Sequence, residues 1–375
     1  MTTIIHLTTA HPRYDARIFI KEVKTLAVSF SHNIVLMVAD GKGNEKDEKS
    51  GASIYDLGRL PGGRLGRLFF GSWRSFIEIR KYKPVIIHFH DPELIPIAML
   101  LKIVGGKVVY DIHEDLPRQI LSKDWIPATF RKPIAFFMTG IETLAASIFD
   151  AIVPATPKIA ARFHENKTKM IQNFPIVTEV SLTAPIPYEK RPFAFAYPGY
   201  ISKYRGIHEV VQALHLIKDI EGIRLDLAGE FSPPILVEEL RALPGWELVT
   251  YHGWISRERL SHLLGSARAG LVLHHPIPNE IDAQPIKLYE YMSAGLPILA
   301  SDFPLLKQII EGERCGLLVD PLDPEAIAAA MRWIIDHPVE AEAMGQRGRQ
   351  AVLRVYNWDK EAAKLIDLYN KLLGT

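Results

Sequence analysis

The densest chemistry in this chain lies in Asp282-Ala-Gln-Pro-Ile-Lys-Leu-Tyr-Glu-Tyr-Met-Ser-Ala-Gly-Leu-Pro-Ile-Leu-Ala-Ser-Asp302. The segment reads as a polar loop after a strand ending near His274, then a helix from Pro285 to Ala294 that Gly295 stops. First-turn amides of a helix have no partner within it and attract anions, so Pro285, Ile286 and Lys287 mark a phosphate site. Glu290, one turn further in, is placed to grip two neighbouring ribose hydroxyls. Asp282 would reach toward whatever the phosphates carry. Each also has an ordinary reading, Glu290 as a solvated helix carboxylate and Asp282 as a loop cap.

A second loop, Gly199-Tyr-Ile-Ser-Lys-Tyr-Arg-Gly206, follows a strand and opens a helix. Gly199 permits close backbone approach, while Lys203 and Arg205 set cations where a diphosphate would lie. In the first half, Tyr110-Asp-Ile-His-Glu-Asp115 also follows a strand. There His113, with Glu114 beside it, can orient a hydroxyl or shuttle a proton, or else cap the next helix. His88-Phe-His90-Asp91 ends another strand, with one of its histidines expected to point into the sheet packing. In His11-Pro-Arg-Tyr-Asp-Ala-Arg17, Asp15 and Arg17 either bind a ligand or pair with each other.

The elements that must hold these loops alternate along the chain. Strands are expected at Thr3–Leu7, Asn33–Val38, Val85–Phe89, Lys107–Asp111, Ala151–Val153 and Met170–Gln172 in the first half. The second half offers Phe193–Tyr197, Arg224–Ala228, Val249–His252, Gly270–His274, Pro297–Ala300 and Gly316–Val319. Most are short apolar runs with little alternation, the pattern of parallel strands covered on both faces. Helices fall between them, among them His208–Ile217, Arg257–Gly265 and Pro324–Asp336, the last with Asp323 as its N-cap. A chain of 375 residues exceeds one ordinary core. The reading is α/β, two doubly wound Rossmann-like domains facing across a cleft. Their bounds are set at 1–185 and 186–355, dividing in the proline-rich Val180–Arg191, with 356–375 a helix crossing back to the first domain.

Composition narrows the function. One cysteine, Cys315, excludes a disulfide framework and suits a reducing cytoplasm. The N-terminus has no basic leader, and the longest apolar stretch, Pro133 to Ala155, is broken by Glu142 and Asp150, so no spanning helix is expected. Residues 1–185 carry 24 Lys and Arg against 18 Asp and Glu, and the remainder 20 against 25. A basic half is compatible with an acidic acceptor or peripheral contact with an anionic membrane. Leu65, Leu68, Phe69, Ser72, Phe76 and Ile77 form a helical stripe among arginines, read as a core helix with a wet basic face. The alternative is a membrane-surface patch anchored by Phe70 and Trp73. Without Asp-x-Asp, His-Glu-x-x-His, a Walker loop or a cysteine cluster, no metal is expected. Without Gly-x-Gly-x-x-Gly, a nicotinamide enzyme is disfavoured, and nothing beyond mild basicity supports nucleic-acid binding.

The order of the Gly199 loop, then Asp282-x7-Glu290, then Gly295-Leu-Pro-Ile-Leu-Ala-Ser resembles retaining glycosyltransferases of family four, which have the GT-B fold. The likeness runs over nearly the whole chain. It implies transfer of a sugar from a nucleotide diphosphate donor on the second domain to a saccharide or lipid-linked acceptor on the first, in cell-surface polysaccharide assembly without a cofactor. It assigns Glu290 to the ribose, Asp282 to the donor sugar and His113, with Glu114 beside it, to the reacting centre, and sets His90 and Asp91 near the cleft on the acceptor side. Asp15 and Arg17, the other acceptor candidates, stand in a segment that departs from the glycine-rich loop of many relatives. The family's Glu-x7-Glu appears here with aspartate first, and its diphosphate-binding arginine and lysine positions hold Tyr200 and Arg205, leaving Lys203 as a substitute cation. A sugar-nucleotide 2-epimerase or a catalytically silent binder of nucleotide sugars would share this architecture.

Overall fold

Buried apolar runs make two parallel sheets. The computed structural model describes residues 2–60, 66, 70–123, 125–177, 186–278 and 280–374. Two units divide the chain, Met1–Asn173 joined by Asp359–Thr375, and Phe174–Trp358. The first unit thus ends before the break expected at 185, and residues 180–185 of that break lie outside the described residues. The chain enters and leaves the second unit side by side, where the Trp358 amide donates to the Pro175 carbonyl at 2.9 Å.

The first sheet contains β1 (Thr3–Leu7), β2 (Asn33–Val38), β3 (Glu45–Lys46), β4 (Ser53–Asp56), β5 (Ile86–Phe89), β6 (Lys107–Ile112) and β7 (Ala151–Pro154). Their spatial order is β3-β4-β2-β1-β5-β6-β7, parallel throughout except for β3 against β4. The edge strand β3 and its neighbour β4 were not expected, because their residues, Glu-Lys and Ser-Ile-Tyr-Asp, are too polar and short for an apolar-run criterion. Met170–Gln172 is not a strand. Its Ile171 amide donates to the Pro154 carbonyl at 3.1 Å, but the run lies outside the ladder. In helix Ser72–Tyr82 the buried positions are Ser72, Ser75 and Ile79, so Ile77, expected on the apolar stripe, is exposed along with Phe70 and Trp73. Leu65, Leu68 and Phe69 of that stripe lie outside the described residues. Helix Trp358–Leu373 completes this unit: its Tyr369 is fully buried with the hydroxyl 2.8 Å from His88 Nδ1 and 3.1 Å from His6 Nε2.

The second sheet holds β8 (Ala194–Pro198), β9 (Arg224–Ala228), β10 (Val249–Tyr251), β11 (Ala269–Val272), β12 (Ile298–Ser301) and β13 (Gly316–Val319), ordered β10-β9-β8-β11-β12-β13 and parallel throughout. Helix Pro324–Asp336 starts where its cap demands, the Asp323 carboxylate accepting from the Glu325 and Ala326 amides. Strand order reverses between β1 and β5 in one unit and between β8 and β11 in the other. Loops leaving the carboxyl ends of strands beside such a reversal splay apart and leave room for a ligand.

Candidate active site

In the second unit the reversal lies between the loops that follow β8 and β11. Gly199 leaves β8 with φ +110°, and Gly206 closes the loop at φ +70°, where a β-carbon would stand 2.0 Å from the Leu273 carbonyl oxygen. Only glycine lets these two loops approach so closely. Lys203 and Arg205 sit in the short turn between them. Lys203 is exposed, whereas the Arg205 guanidinium lies over the Tyr200 ring, 5.5 Å from its centroid, and its backbone carbonyl accepts from the Tyr197 hydroxyl at 2.5 Å.

The facing helix, Ile286–Ser293, has Pro285 as its N-cap. Tyr291 holds it down, its hydroxyl donating to the Ala196 and Leu271 carbonyls while its ring fills the space over Gly270. Lys287 is buried. Its ammonium has no hydrogen-bond partner among the described residues and stands 3.9 Å above the Tyr197 ring. Burial, and then repulsion from Arg205, push its pKa down to about 7, against the pull of Glu280 and Glu290. Two cations close enough to repel, one of them with no hydrogen-bond partner among the described residues, form a preorganised anion site.

Glu280 was not singled out in the sequence, yet it belongs here. Its carboxylate stands 2.6 Å from His274 Nδ1. Burial raises its pKa, but His274, Arg205 and Lys287 outweigh burial and hold it below the usual range. The same burial keeps His274 below the ordinary histidine range. Asp282, two residues on, is half-buried in the loop. Glu290 is buried and paired with the Arg257 guanidinium, so it is neither a solvated carboxylate nor free.

In the first unit the loops after β1, β5 and β6 meet. His88 and His90 both lie on one face of β5, since residues two apart share a face, and both are fully buried. The expectation that only one of the pair would point into the packing is corrected. Asp111 is the hub: Arg17 donates from Nη2 to Oδ1 at 2.7 Å and from Nε to Oδ2 at 2.9 Å. His90 Nδ1 is 3.0 Å and His113 Nε2 2.9 Å from the same Oδ2. Burial opposes its charge, but Arg17 and the imidazoles hold the carboxyl well below the usual range. His113 is the member that reaches the surface, its side chain 16% exposed, and Glu114 beside it is exposed. The cap of the next helix is Asp115, accepting from the Arg118 amide, so His113 is left for other work.

Arg17 is therefore neither paired with Asp15 nor turned outward. Its remaining Nη1 donates to the Ile171 carbonyl at 2.9 Å, and it positions Asp111. Asp15 caps the wide, π-type helix Ala16–Val23 by accepting from the Arg17 and Ile18 amides. Asp91 is buried and accepts from the Thr8 and Thr9 hydroxyls and the Thr9 and Ala10 amides, fixing the loop after β1. His11, missed in the sequence, lies between Asp15 (3.5 Å) and Asp91 (3.6 Å). Burial works against its charge, but the bond to Asp15 and the charge of Asp91 prevail, and its pKa is raised.

Behind this loop cluster, Glu22, His88, His90 and Asp111 bring ligand-capable atoms within 4.8 Å of one another. Three separate stretches of chain contribute, which is why no spacing motif announced them. Glu22 is fully buried, 3.2 Å from Arg17 Nε, yet neither carboxyl oxygen makes a hydrogen bond among the described residues. Burial and then Asp111 raise its pKa well above the usual carboxylate range. These are the residues that could hold a metal ion, with the guanidinium of Arg17 already on two of the carboxylates.

Residues 184–351 match the family described as glycosyl transferases group 1. The MMP alpha-(1->4)-mannosyltransferase of Mycolicibacterium hassiacum is 27% identical over 303 residues, 76% of this chain and 70% of that one. A glycogen synthase of Mycobacterium tuberculosis is 21% identical over 298 residues, 77% and 69% of the two chains. Among solved structures, sucrose-phosphate synthase from Thermosynechococcus elongatus superposes over the whole of both chains with a TM-score of 0.78 at 18% identity. Anabaena Alr3699/HepE, solved in complex with UDP-glucose, does so with 0.74 at 14% identity, over 99% of this chain and 100% of that one. At such identities the structural likeness speaks for the fold. Residues 184–351 thus carry the likeness to the glycosyl transferases group 1, and the two α/β units have the GT-B fold.

Proposed function

We propose that this glycosyltransferase moves a sugar from a nucleoside diphosphate donor to a saccharide or lipid-linked acceptor with retention of anomeric configuration, in cell-surface polysaccharide assembly at the cytoplasmic face of the membrane. The observation that carries the donor class is the buried, unpartnered ammonium of Lys287 beside Arg205, at the start of a helix. An unpaired buried cation is costly, and a diphosphate supplies the missing anion. The UDP-glucose bound by the Anabaena protein of the same fold supports this reading.

In the reaction the sugar C1–O bond to the diphosphate breaks, the acceptor hydroxyl bonds to C1 from the same face, and its proton leaves on a phosphate oxygen. Arg205, Lys287 and the first-turn amides neutralise the charge growing on the leaving group, with Lys203 adding to the local positive field. Preorganised charge of this kind is usually the largest catalytic contribution, and here no metal is required for it. Asp282 and Glu280 attend the donor sugar. Glu290 reaches the ribose hydroxyls by exchanging Arg257 for them. On the acceptor side, His113 is the group that meets the substrate, with Asp111 and Arg17 orienting it, and His90, Asp91, Asp15 and Glu114 shaping the loops around it.

The test is a donor screen with UDP-, GDP-, ADP- and TDP-sugars, following free nucleoside diphosphate with and without membrane lipid extract. Release from one donor, lost in Lys287→Met, is the expected result. Conversion of the donor to an isomeric nucleotide sugar without acceptor would instead make the chain an epimerase. Nucleotide binding with no turnover under any condition would make it a silent binder.

A further inference from the structure

Helix Ala128–Ile148 runs 21 residues, about 31 Å at 1.5 Å per residue. One face packs on the first unit through Ala135, Glu142, Ala145 and Ala146. A globular helix is expected to be polar on its other face. This one is not: Phe130, Ile134, Phe136, Phe137 and Leu144 are exposed, Phe136 to 83%, and Trp125 stands exposed just before the helix. The helix holds three charged residues, Arg131, Lys132 and Glu142. The single acid is turned inward, where it meets the Tyr110 hydroxyl and the Arg162 guanidinium, and Arg131 is half-buried with its Nε donating to the Ile126 carbonyl at 2.8 Å, so the helix's exposed charge is Lys132. Helices Ser72–Tyr82, Ile95–Ile103 and Ala128–Ile148 pack side by side in that order, and the exposed Phe70 and Trp73 adjoin the first of them.

We infer that this helix lies on an anionic lipid bilayer, with its aromatic stripe in the headgroup and acyl boundary and Lys132 on the lipid phosphates. Aromatic and aliphatic side chains on a bare helix face, an exposed cation at one end and no exposed acid on the helix are what an interfacial helix needs. Charge complementarity selects the bilayer over a second copy of the chain, whose identical face would bring no anion to Lys132 in either direction. The inference is independent of the proposed reaction.

The experiment is co-sedimentation of the full chain with vesicles of phosphatidylglycerol and phosphatidylcholine, against phosphatidylcholine alone. Binding to the anionic vesicles, weakened by salt, is expected. Phe136→Ser with Phe137→Ser should lower that affinity by about tenfold or more, since each ring gives up burial in lipid. These rings are exposed, so the melting temperature should hold, which separates a lost surface from a lost fold. Lys132→Glu should weaken binding at low salt and matter less at high salt. Absence of binding to anionic vesicles, or unchanged binding by the double variant, would overturn the inference. So would sedimentation of the lipid-free chain as a dimer that the double variant dissolves, which would make this face a subunit interface.

Discussion

Lys287 is buried with no hydrogen-bond partner among the described residues, and the cost of that is testable separately from catalysis. Lys287→Met keeps the volume and removes an unpaired buried charge, so the melting temperature should rise. Affinity for nucleoside diphosphate should fall about 10–100-fold, since bonds to a charged partner are worth roughly 1.5–3 kcal/mol. A fall in both quantities would show instead that the side chain is structural. The pKa near 7 adds a pH signature. Above that value the free protein carries a neutral amine, so binding an anion takes up a proton, and affinity should decline about tenfold per pH unit. Glu280→Gln removes a neighbour that raises the Lys287 pKa, and the break in affinity should move below 7 in a calorimetric series. In the other unit the sign reverses. Glu22 has a folded pKa raised above its unfolded value, so its burial favours the folded state least when the pH exceeds that raised value. Glu22→Gln should therefore stabilise the protein at neutral pH, with the gain shrinking toward about pH 4.5, the unfolded carboxylate range, in denaturant titrations.

The loops can be that exact only because the elements beneath them are held. Gly206→Ala would press a β-carbon into the Leu273 carbonyl oxygen at 2.0 Å while also straining a φ of +70°. We expect a clear loss of stability, of more than about 1 kcal/mol, with nucleotide affinity falling as the loops after β8 and β11 part. Unchanged thermal melting would mean that the two loops can separate at little cost. This level of structure was also the most legible in the sequence. Asn33–Val38 is a strand with the expected bounds because a strand buried on both faces must be apolar, and Arg224–Ala228 and Gly316–Val319 also keep their expected bounds, although the first carries Asp226 and the second is a half-buried edge. Ser53–Asp56 escaped because this short strand, next to the edge and fully buried only at Ile54, has no such obligation. The candidate site was legible where one loop supplies it, as with Arg205 and Lys287. It was not where partners come from distant segments: nothing near Asp111 in sequence signals Arg17, and nothing near His88 signals Tyr369. Glu280 stood two residues from a residue that was chosen, but the loop's path, which turns it to His274, is not written in local spacing.

At the scale of the whole chain, the first unit is assembled from both ends of the sequence, and this has a measurable consequence. Helix Trp358–Leu373 buries Leu365, Leu368 and Tyr369 and brings the Tyr369 hydroxyl to two buried histidines. Burial pushes the pKa values of His6 and His88 well below the usual range, so both are neutral rings that depend on this hydroxyl as a polar partner. Removing residues 359–375 strips three large apolar side chains from their places, each worth about 1.5–3 kcal/mol, and leaves those rings short of a partner. That sum is comparable to the whole stability of a domain. The second unit has its own sheet and core and gives up none of them. In scanning calorimetry the truncated chain should lose or sharply lower one transition and keep the other. The surviving transition should still rise on addition of the nucleoside diphosphate that the donor screen selects, because Arg205, Lys287 and Glu280 all belong to that unit. Loss of both transitions together would mean that the two units fold as one cooperative body, and that the donor site depends on the first unit as much as on its own loops.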